Sequence, residues 1–252
     1  THYDGNRWWF VDPHGYAFLS MGMDVITPGV PGVLEGNEEL YSFIPEKTGV
    51  MRNAYGETRN MEKLDFFRVN MINAFGDDWL KMWTEITRNK LISANFNTIG
   101  NWADKSFMTE ADMPYVLPMN NFPQTEVRLF RDFPDVFSPE YRRKAIEFAS
   151  QLEKYKDDPY LIGYFLRNEP QWAFGENNIA FEMLATDQFS YARAALALWL
   201  QEKYGNADSL SSQWNMEFES FIDILNLSLK DYPSDSCRSD LWEFSKHMVR
   251  KY

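Results

Sequence analysis

The sequence predicts an α/β protein built on a mainly parallel sheet. Three observations carry this reading. Apolar runs of strand length alternate with stretches of helical periodicity, connections from helix into strand are short while those leaving strands are long, and polar residues gather where the strands end. Pattern alone leaves two architectures open, an open doubly wound sheet and a closed barrel. With 252 residues, 44% of them hydrophobic, the chain is long enough for one large domain with a substantial core.

The elements follow in order. Residues 7–11 and 16–21 are two β-rich runs around Asp12-Pro13-His14-Gly15. That tetrapeptide is a turn because Asp bonds forward, Pro presets φ and Gly supplies backbone freedom. The second run continues through Gly22-Met23-Asp24-Val25-Ile26, expected to be the first buried strand. Residues 27–60, rich in Pro, Gly, Asn and Glu and without sustained period, are expected to form a long loop. Trp79, Leu80, Trp83, Ile86 and Leu91 share one helical face, which predicts a helix over 78–92. Residues 96–102 are a candidate second strand and 114–119 a third, short one, with little room between them for a full crossover helix.

Ser138-Pro139-Glu140 starts the next helix, with Ser as N-cap and Pro at the first position; its apolar face runs to Tyr155, and Asp157-Asp158-Pro159 stops it. Residues 161–166 are the fourth strand, nearly all apolar, as suits a strand covered on both faces. Helices are predicted over 186–204, ended by Gly205, and over 235–252, with shorter ones around Leu210, Trp214, Phe218, Phe221 and Leu225 between them.

Composition excludes several functions. A formal charge of -12 argues against nucleic acid, whose phosphates require a basic footprint, and suits a neutral or cationic substrate. No apolar run reaches the roughly 18 residues that a membrane span needs. The single Cys237 excludes an internal disulfide, and His2, His14 and His247 have no metal-ligand spacing. The sequence also lacks a phosphate-binding glycine loop and a Ser-His-Asp set.

Long connections leave the strands at 27–60, 120–137 and 170–185, whereas those entering strands at 93–95 and 156–160 are short. In a barrel this asymmetry marks the C-terminal ends of the strands as the working face; on any surface, long loops are also simply tolerated. Asp24, Asn101, Trp102, Asn120, Asn168 and Glu169 all fall at those ends, which favours the functional reading. The sharpest motif is Arg167-Asn168-Glu169-Pro170, closing an apolar strand with Gln171 and Trp172 behind it. Glycosidic cleavage needs one protonated carboxyl beside the leaving oxygen and a second carboxylate near the oxocarbenium-like centre. A Glu at the mouth of an apolar strand is partly desolvated, which favours its protonated form, and the adjacent Asn can bond a sugar hydroxyl while Trp172 offers an apolar face. The competing reading is a solvated Glu in a turn that ends a strand.

These residues also carry a resemblance. Trp8-Trp9-Phe10-Val11-Asp12-Pro13-His14-Gly15 with Phe18-Leu19-Ser20-Met21-Gly22 resembles the opening hairpin and first strand of agarase-like enzymes, Phe96-Asn97-Thr98-Ile99-Gly100-Asn101-Trp102 their second strand, and Leu161-Ile162-Gly163-Tyr164-Phe165 with Asn168-Glu169 their fourth. Tyr204-Gly205 through Trp214-Asn215 and Phe221 resembles the segment that follows the fourth helix. Spread in order over most of the chain, these matches resemble the clan A glycoside hydrolases, most like the β-agarase and β-galactosidase-type families.

The resemblance implies a TIM-type (β/α)8 barrel, of which this chain supplies about the first four β/α units after an N-terminal hairpin. Residues 1–252 would be the N-terminal part of one catalytic barrel domain, 1–21 being the hairpin and the start of the first barrel strand. It implies a retaining β-glycosidase acting on a galactose-containing polysaccharide or oligosaccharide without a cofactor, met outside the cell or in the periplasm. Glu169 becomes the acid/base, Asn168 the contact to the hydroxyl beside the anomeric carbon, and Asn101, Trp102, Asp24 and Trp172 line the sugar subsites. The nucleophile of this clan sits on the seventh strand, and only four strands are legible, so it is expected in the remaining half of the barrel from the same gene product. Agarase-like sequences usually carry an acid two residues before the Glu, where this chain has Arg167. By strand alternation Arg167 faces the same side as Glu169, and its charge favours the ionised carboxylate and opposes the acid role. A non-catalytic carbohydrate-binding relative or an inactive fragment is the alternative, and an unrelated barrel enzyme a third.

Overall fold

A computed structural model describes residues 1–252. The chain divides into two compact units, Thr1–Pro118 with Asp157–Phe165, and Met119–Lys156 with Leu166–Tyr252.

The first unit opens on an antiparallel sheet of β1 (His2–Tyr3), β2 (Trp8–Val11) and β3 (Ala17–Phe18). Its predicted turn forms as expected: Asp12 Oδ1 accepts the N–H groups of His14 and Tyr16 at 2.9 and 2.8 Å, and Gly15 takes a φ of +88°. The expected continuous strand through 16–26 does not form. β3 pairs antiparallel with β2, whereas β4 (Gly22–Met23) pairs parallel with β8 (Thr98–Ile99). Between them the Asn97 amide takes over the backbone, accepting from Met21 N–H at 2.8 Å and donating to the Leu19 carbonyl at 2.9 Å.

Residues 27–60, expected as loop, contribute to a second antiparallel sheet of β5 (Gly32–Val33), β6 (Tyr55–Thr58) and β7 (Met61–Leu64), in the order β5-β7-β6. β6 and β7 join through Arg59 and Asn60, both with positive φ, the handedness that two-residue hairpins favour. Neither residue advertises that turn as Asn-Gly would, so the sequence hid it. Helix α1 (Phe66–Phe75) is N-capped by Asp65, whose Oδ1 accepts from Phe67 and Arg68 N–H at 3.0 and 3.2 Å. Helix α2 (Trp79–Ser93) fills the predicted span, burying Trp79, Trp83 and Leu91. The short α3 (Lys105–Glu110), capped by Asp104, is all that fits between β8 and β9 (Tyr115–Pro118), as the sequence spacing required.

The four parallel strands run in the order β12-β9-β8-β4, where β12 is Leu161–Phe165. Each strand therefore neighbours the next in sequence, always on the same side. That is the winding of a barrel wall; a doubly wound sheet reverses direction at a switch point. Ile99 and Tyr115 are buried to within 1%. The expectation that the fourth strand is covered on both faces does not hold, since Tyr164 is exposed; Met23 of β4 and Val25 just beyond it are exposed as well. β4 and β12 each have one hydrogen-bonded neighbour, and no other element of the unit supplies a second layer over those side chains.

In the second unit, β10 (Arg128–Phe130) and β11 (Phe133–Pro134) form an antiparallel hairpin inside the stretch expected as loop. Helix α4 (Pro139–Ser150) starts as predicted, Ser138 Oγ accepting the Tyr141 N–H at 3.0 Å. It ends earlier than expected, at Ser150, before a 3-10 turn at Glu153–Tyr155. Helix α5 (Ile179–Leu184) was not foreseen, and α6 (Tyr191–Tyr204) begins five residues later than the predicted 186 because Ser190 supplies its cap. Helices α7 (Ala207–Trp214) and α8 (Asp235–Lys251) complete the unit.

Leu196 and Leu200 of α6, Trp214 of α7, and Leu241 and Phe244 of α8 are fully buried together. A single buried carboxylate ties these helices: Asp240 on α8 accepts Lys203 Nζ at 2.8 Å, Tyr204 OH at 2.6 Å and Trp214 Nε1 at 2.8 Å. No helix is long and apolar enough to cross a membrane.

Two stability predictions follow from these contacts. Asp240→Ala strands the indole N–H and the phenol inside the core and should lower unfolding free energy by about 3 kcal/mol in urea titration; a loss below about 1 kcal/mol would show that the helices pack without it. Gly100→Ala places a Cβ on Asp24 Oδ1 and within 2.9 Å of the Met23 carbonyl oxygen. It should cost about 1–3 kcal/mol, and an unchanged urea midpoint would refute this close approach of β4 and the end of β8.

Candidate active site

The predicted site residues fall into two sets, one in each unit. In the first unit, Asp24 and Asn101 come together just beyond the ends of β4 and β8. Asp24 Oδ1 accepts the Asn101 N–H at 2.7 Å, and the Asn101 carbonyl accepts the Val25 N–H at 2.8 Å. Asp24 thus works as a backbone acceptor where the parallel ladder ends. The Asn101 side chain is 6% exposed, yet neither its Oδ1 nor its Nδ2 has a partner. A buried polar group left unpaired costs about 1–3 kcal/mol and calls for an explanation. Trp102 follows with a φ of +58°, 44% exposed, its ring edge-on to Phe165 at 5.2 Å. The ring is thus partly open to solvent.

In the second unit, Asn168 and Glu169 are both exposed, directly after the last residues of β12. Glu169 takes a φ of +39°, which a side chain with a Cβ rarely adopts and which costs of order 1–3 kcal/mol. Its carboxylate makes no hydrogen bond within the chain. The strand stops at Phe165, so alternation no longer sets which way Arg167 and Glu169 face. The Arg167 guanidinium instead pairs with Asp132 and donates to Tyr252 OH at 2.8 Å, while lying over the Phe122 ring at 5.3 Å.

Asp132 was not foreseen. It stands with Arg131 in the two-residue turn between β10 and β11, and the two grip the segment behind Glu169. Asp132 accepts the N–H groups of Gln171 and Trp172 at 2.9 and 2.8 Å, and Arg131 donates to the carbonyls of Gln171 and Phe174, both at 3.2 Å. The acid meets the free N–H groups of the 3-10 turn Gln171–Phe174, and the base meets its carbonyls. No sequence signal separates Asp132 from the other acids of the chain; only the hairpin reveals it. Trp172 packs edge-on against Phe133 and Tyr252, each at 5.3 Å, with its Nε1 buried and unpaired. That indole is largely spent on packing. It also borders a cavity of about 640 Å3 against Trp242 and Lys246 of α8, which does not include Asn168 or Glu169.

Comparison with known proteins places this arrangement. The glycoside hydrolase 42 family model, described as β-galactosidase, matches residues 108–226, a segment that contains Asn168 and Glu169. Beta-agarase B of Vibrio sp. (strain JT0107) is 24% identical over 289 residues, covering 98% of this chain and 30% of that protein. Beta-agarase A of the same strain is 24% identical over 259 residues, covering 86% of this chain and 25% of that one. Among solved structures, the agarase AgWH50C superposes with a TM-score of 0.81 at 20% identity, over 98% of this chain and 41% of its own. An exo-β-agarase gives 0.77 at 18% identity, over 98% and 42%. This chain spans less than half the length of each of these relatives. In sequence and fold it resembles the clan A glycoside hydrolases of the agarase and β-galactosidase type, and carries part of their barrel.

Proposed function

We propose that the chain is part of a retaining glycoside hydrolase that cleaves β-linkages in a galactose-containing polysaccharide or oligosaccharide. The observation that carries this reading is the position of Glu169. It follows Asn168 immediately beyond the fourth strand of a sequentially wound parallel sheet, in a fold shared with agarases. Glu169 is the acid/base, protonating the leaving oxygen and then activating the water that releases the product. Its carboxyl is exposed and without an internal partner, so both oxygens are free for that exchange. Asn168 bonds the hydroxyl beside the anomeric centre. Asn101, with its buried unpaired amide, and the half-open ring of Trp102 line the sugar subsites, and Asp24 holds Asn101 in place. Trp172 stabilises the segment behind the acid more than it presents a face to sugar.

The nucleophile lies outside this chain, on the rest of the barrel, which we propose belongs to the same gene product and brings it to about 5–5.5 Å from Glu169. In this reading the chain supplies the first four β/α units of one barrel domain. The exposed Met23, Val25 and Tyr164 support it, since a closed barrel covers such side chains. Action on polysaccharide fits secretion or export to the periplasm.

In the full-length gene product, Glu169→Gln should lower kcat/KM on agar oligosaccharides by about 10²- to 10⁴-fold. Glu169→Ala should be rescued by azide, giving a β-glycosyl azide of retained configuration. Full turnover in both variants would point to a different acid, and binding without turnover in the unmutated protein to a carbohydrate-binding role. Residues 1–252 alone should bind a hydrophobic dye and fail to turn over substrate, whereas the full-length protein should do the reverse. A dye-silent fragment would overturn the proposed barrel completion.

A further inference from the structure

We propose that Asp132 is a positioning residue for the acid/base, fixing the backbone that aims Glu169; the proposal rests on the acid/base reading of Glu169. The Glu169 carboxylate has no hydrogen bond of its own, so its direction is set by its backbone, and that backbone stands at a φ of +39° that the residue itself disfavours. Something on its flanks must hold it. Asp132 is bonded to both flanks: one oxygen accepts Arg167 Nη2 on the strand side and Gln171 N–H at 2.9 Å on the far side, and the other accepts Trp172 N–H at 2.8 Å. A single carboxylate thus spans Asn168-Glu169-Pro170 and fixes the separation of its ends.

The clamp is itself rigid. Asp132 and Arg167 have side chains 17% and 19% exposed. Arg167 is held further by Tyr252 OH at 2.8 Å and by the Phe122 ring. Arg131, the neighbour of Asp132 in the turn, secures the carbonyls of the same segment. Arg167, which by charge alone opposes an acid beside it, is engaged here as a strut whose charge Asp132 neutralises. Without Asp132 the guanidinium loses its partner and two backbone N–H groups lose their acceptor, so the segment that aims the acid loosens on both sides.

A misaimed acid has a signature that a general loss of structure lacks. Protonation of the leaving group matters for poor leaving groups and is dispensable for very good ones. The test uses the full-length gene product with Asp132→Ala and with Asp132→Asn, which keeps the side chain's size and one accepting oxygen. Both are assayed on a phenyl and a 2,4-dinitrophenyl β-glycoside, with Glu169→Ala as reference and thermal melts to establish folding. The expected result is a kcat/KM loss of about 10- to 100-fold on the phenyl glycoside, a kcat/KM within about threefold of wild type on the dinitrophenyl glycoside, and smaller losses for Asn than for Ala. Equal losses on both substrates, or no loss on either, in a folded Asp132 variant would overturn the positioning role. If Glu169→Ala itself shows no dependence on leaving group, the acid/base reading fails, and that outcome is separate from the behaviour of Asp132.

Discussion

The constraint on which this structure depends is the backbone hydrogen bonding left over where strands and helices end. Parallel strands here are two to five residues long, so their ladders close few N–H groups. The chain meets the remainder with carboxylates. Asp24 takes the Asn101 N–H beyond β8, Asp65 and Asp104 cap α1 and α3, Asp132 takes Gln171 and Trp172 behind Glu169, and Asp135 takes Tyr191 at the start of α6. Hydrogen bonds to a charged acceptor contribute about 1.5–3 kcal/mol each, more than neutral ones. The net charge of -12 is therefore partly architectural: a share of the acid residues does not decorate the surface but closes the main chain.

The same constraint separates rigid scaffold from reactive group. Two of the candidate residues, Asn101 and Glu169, sit beside a carboxylate that satisfies backbone and are themselves unsatisfied. Asn101 keeps both amide atoms unpaired next to Asp24, and Glu169 keeps its carboxylate free next to the Asp132 clamp. Positive φ angles recur at the same places, at Val25, Trp102 and Glu169. Strain and unpaired polar groups are tolerated where the surroundings over-determine the backbone, and such sites are where function concentrates.

What the sequence revealed follows from how local each signal is. Helices α2 and α8 were legible because their apolar stripes run over four turns or more, and the start of α4 because Ser138-Pro139 is a local cap. The turn at residues 12–15 and the strands β9 and β12 were legible for the same reason. Hidden elements are those whose partners are remote or whose length defeats periodicity: β5 has two residues, β10 and β11 three and two, and α5 six. Glu169 and Asn168 could be named because an acid follows an apolar strand, and their context in the chain gave them a resemblance. Asp132 could not, since its function in the fold depends on residues 35 to 40 positions away.

Arg167 shows how a charge read from sequence changes meaning in the fold. An unpaired guanidinium is a bare positive charge whose field reaches well beyond contact distance. Pairing with Asp132 replaces that monopole with a dipole, whose field falls off faster with distance. The Gln171 and Trp172 N–H groups, the Tyr252 hydroxyl and the Phe122 ring all favour the closed arrangement of the pair. Charge neutralisation of Arg167 and support of the backbone on both sides of Glu169 thus fall to one carboxylate, Asp132.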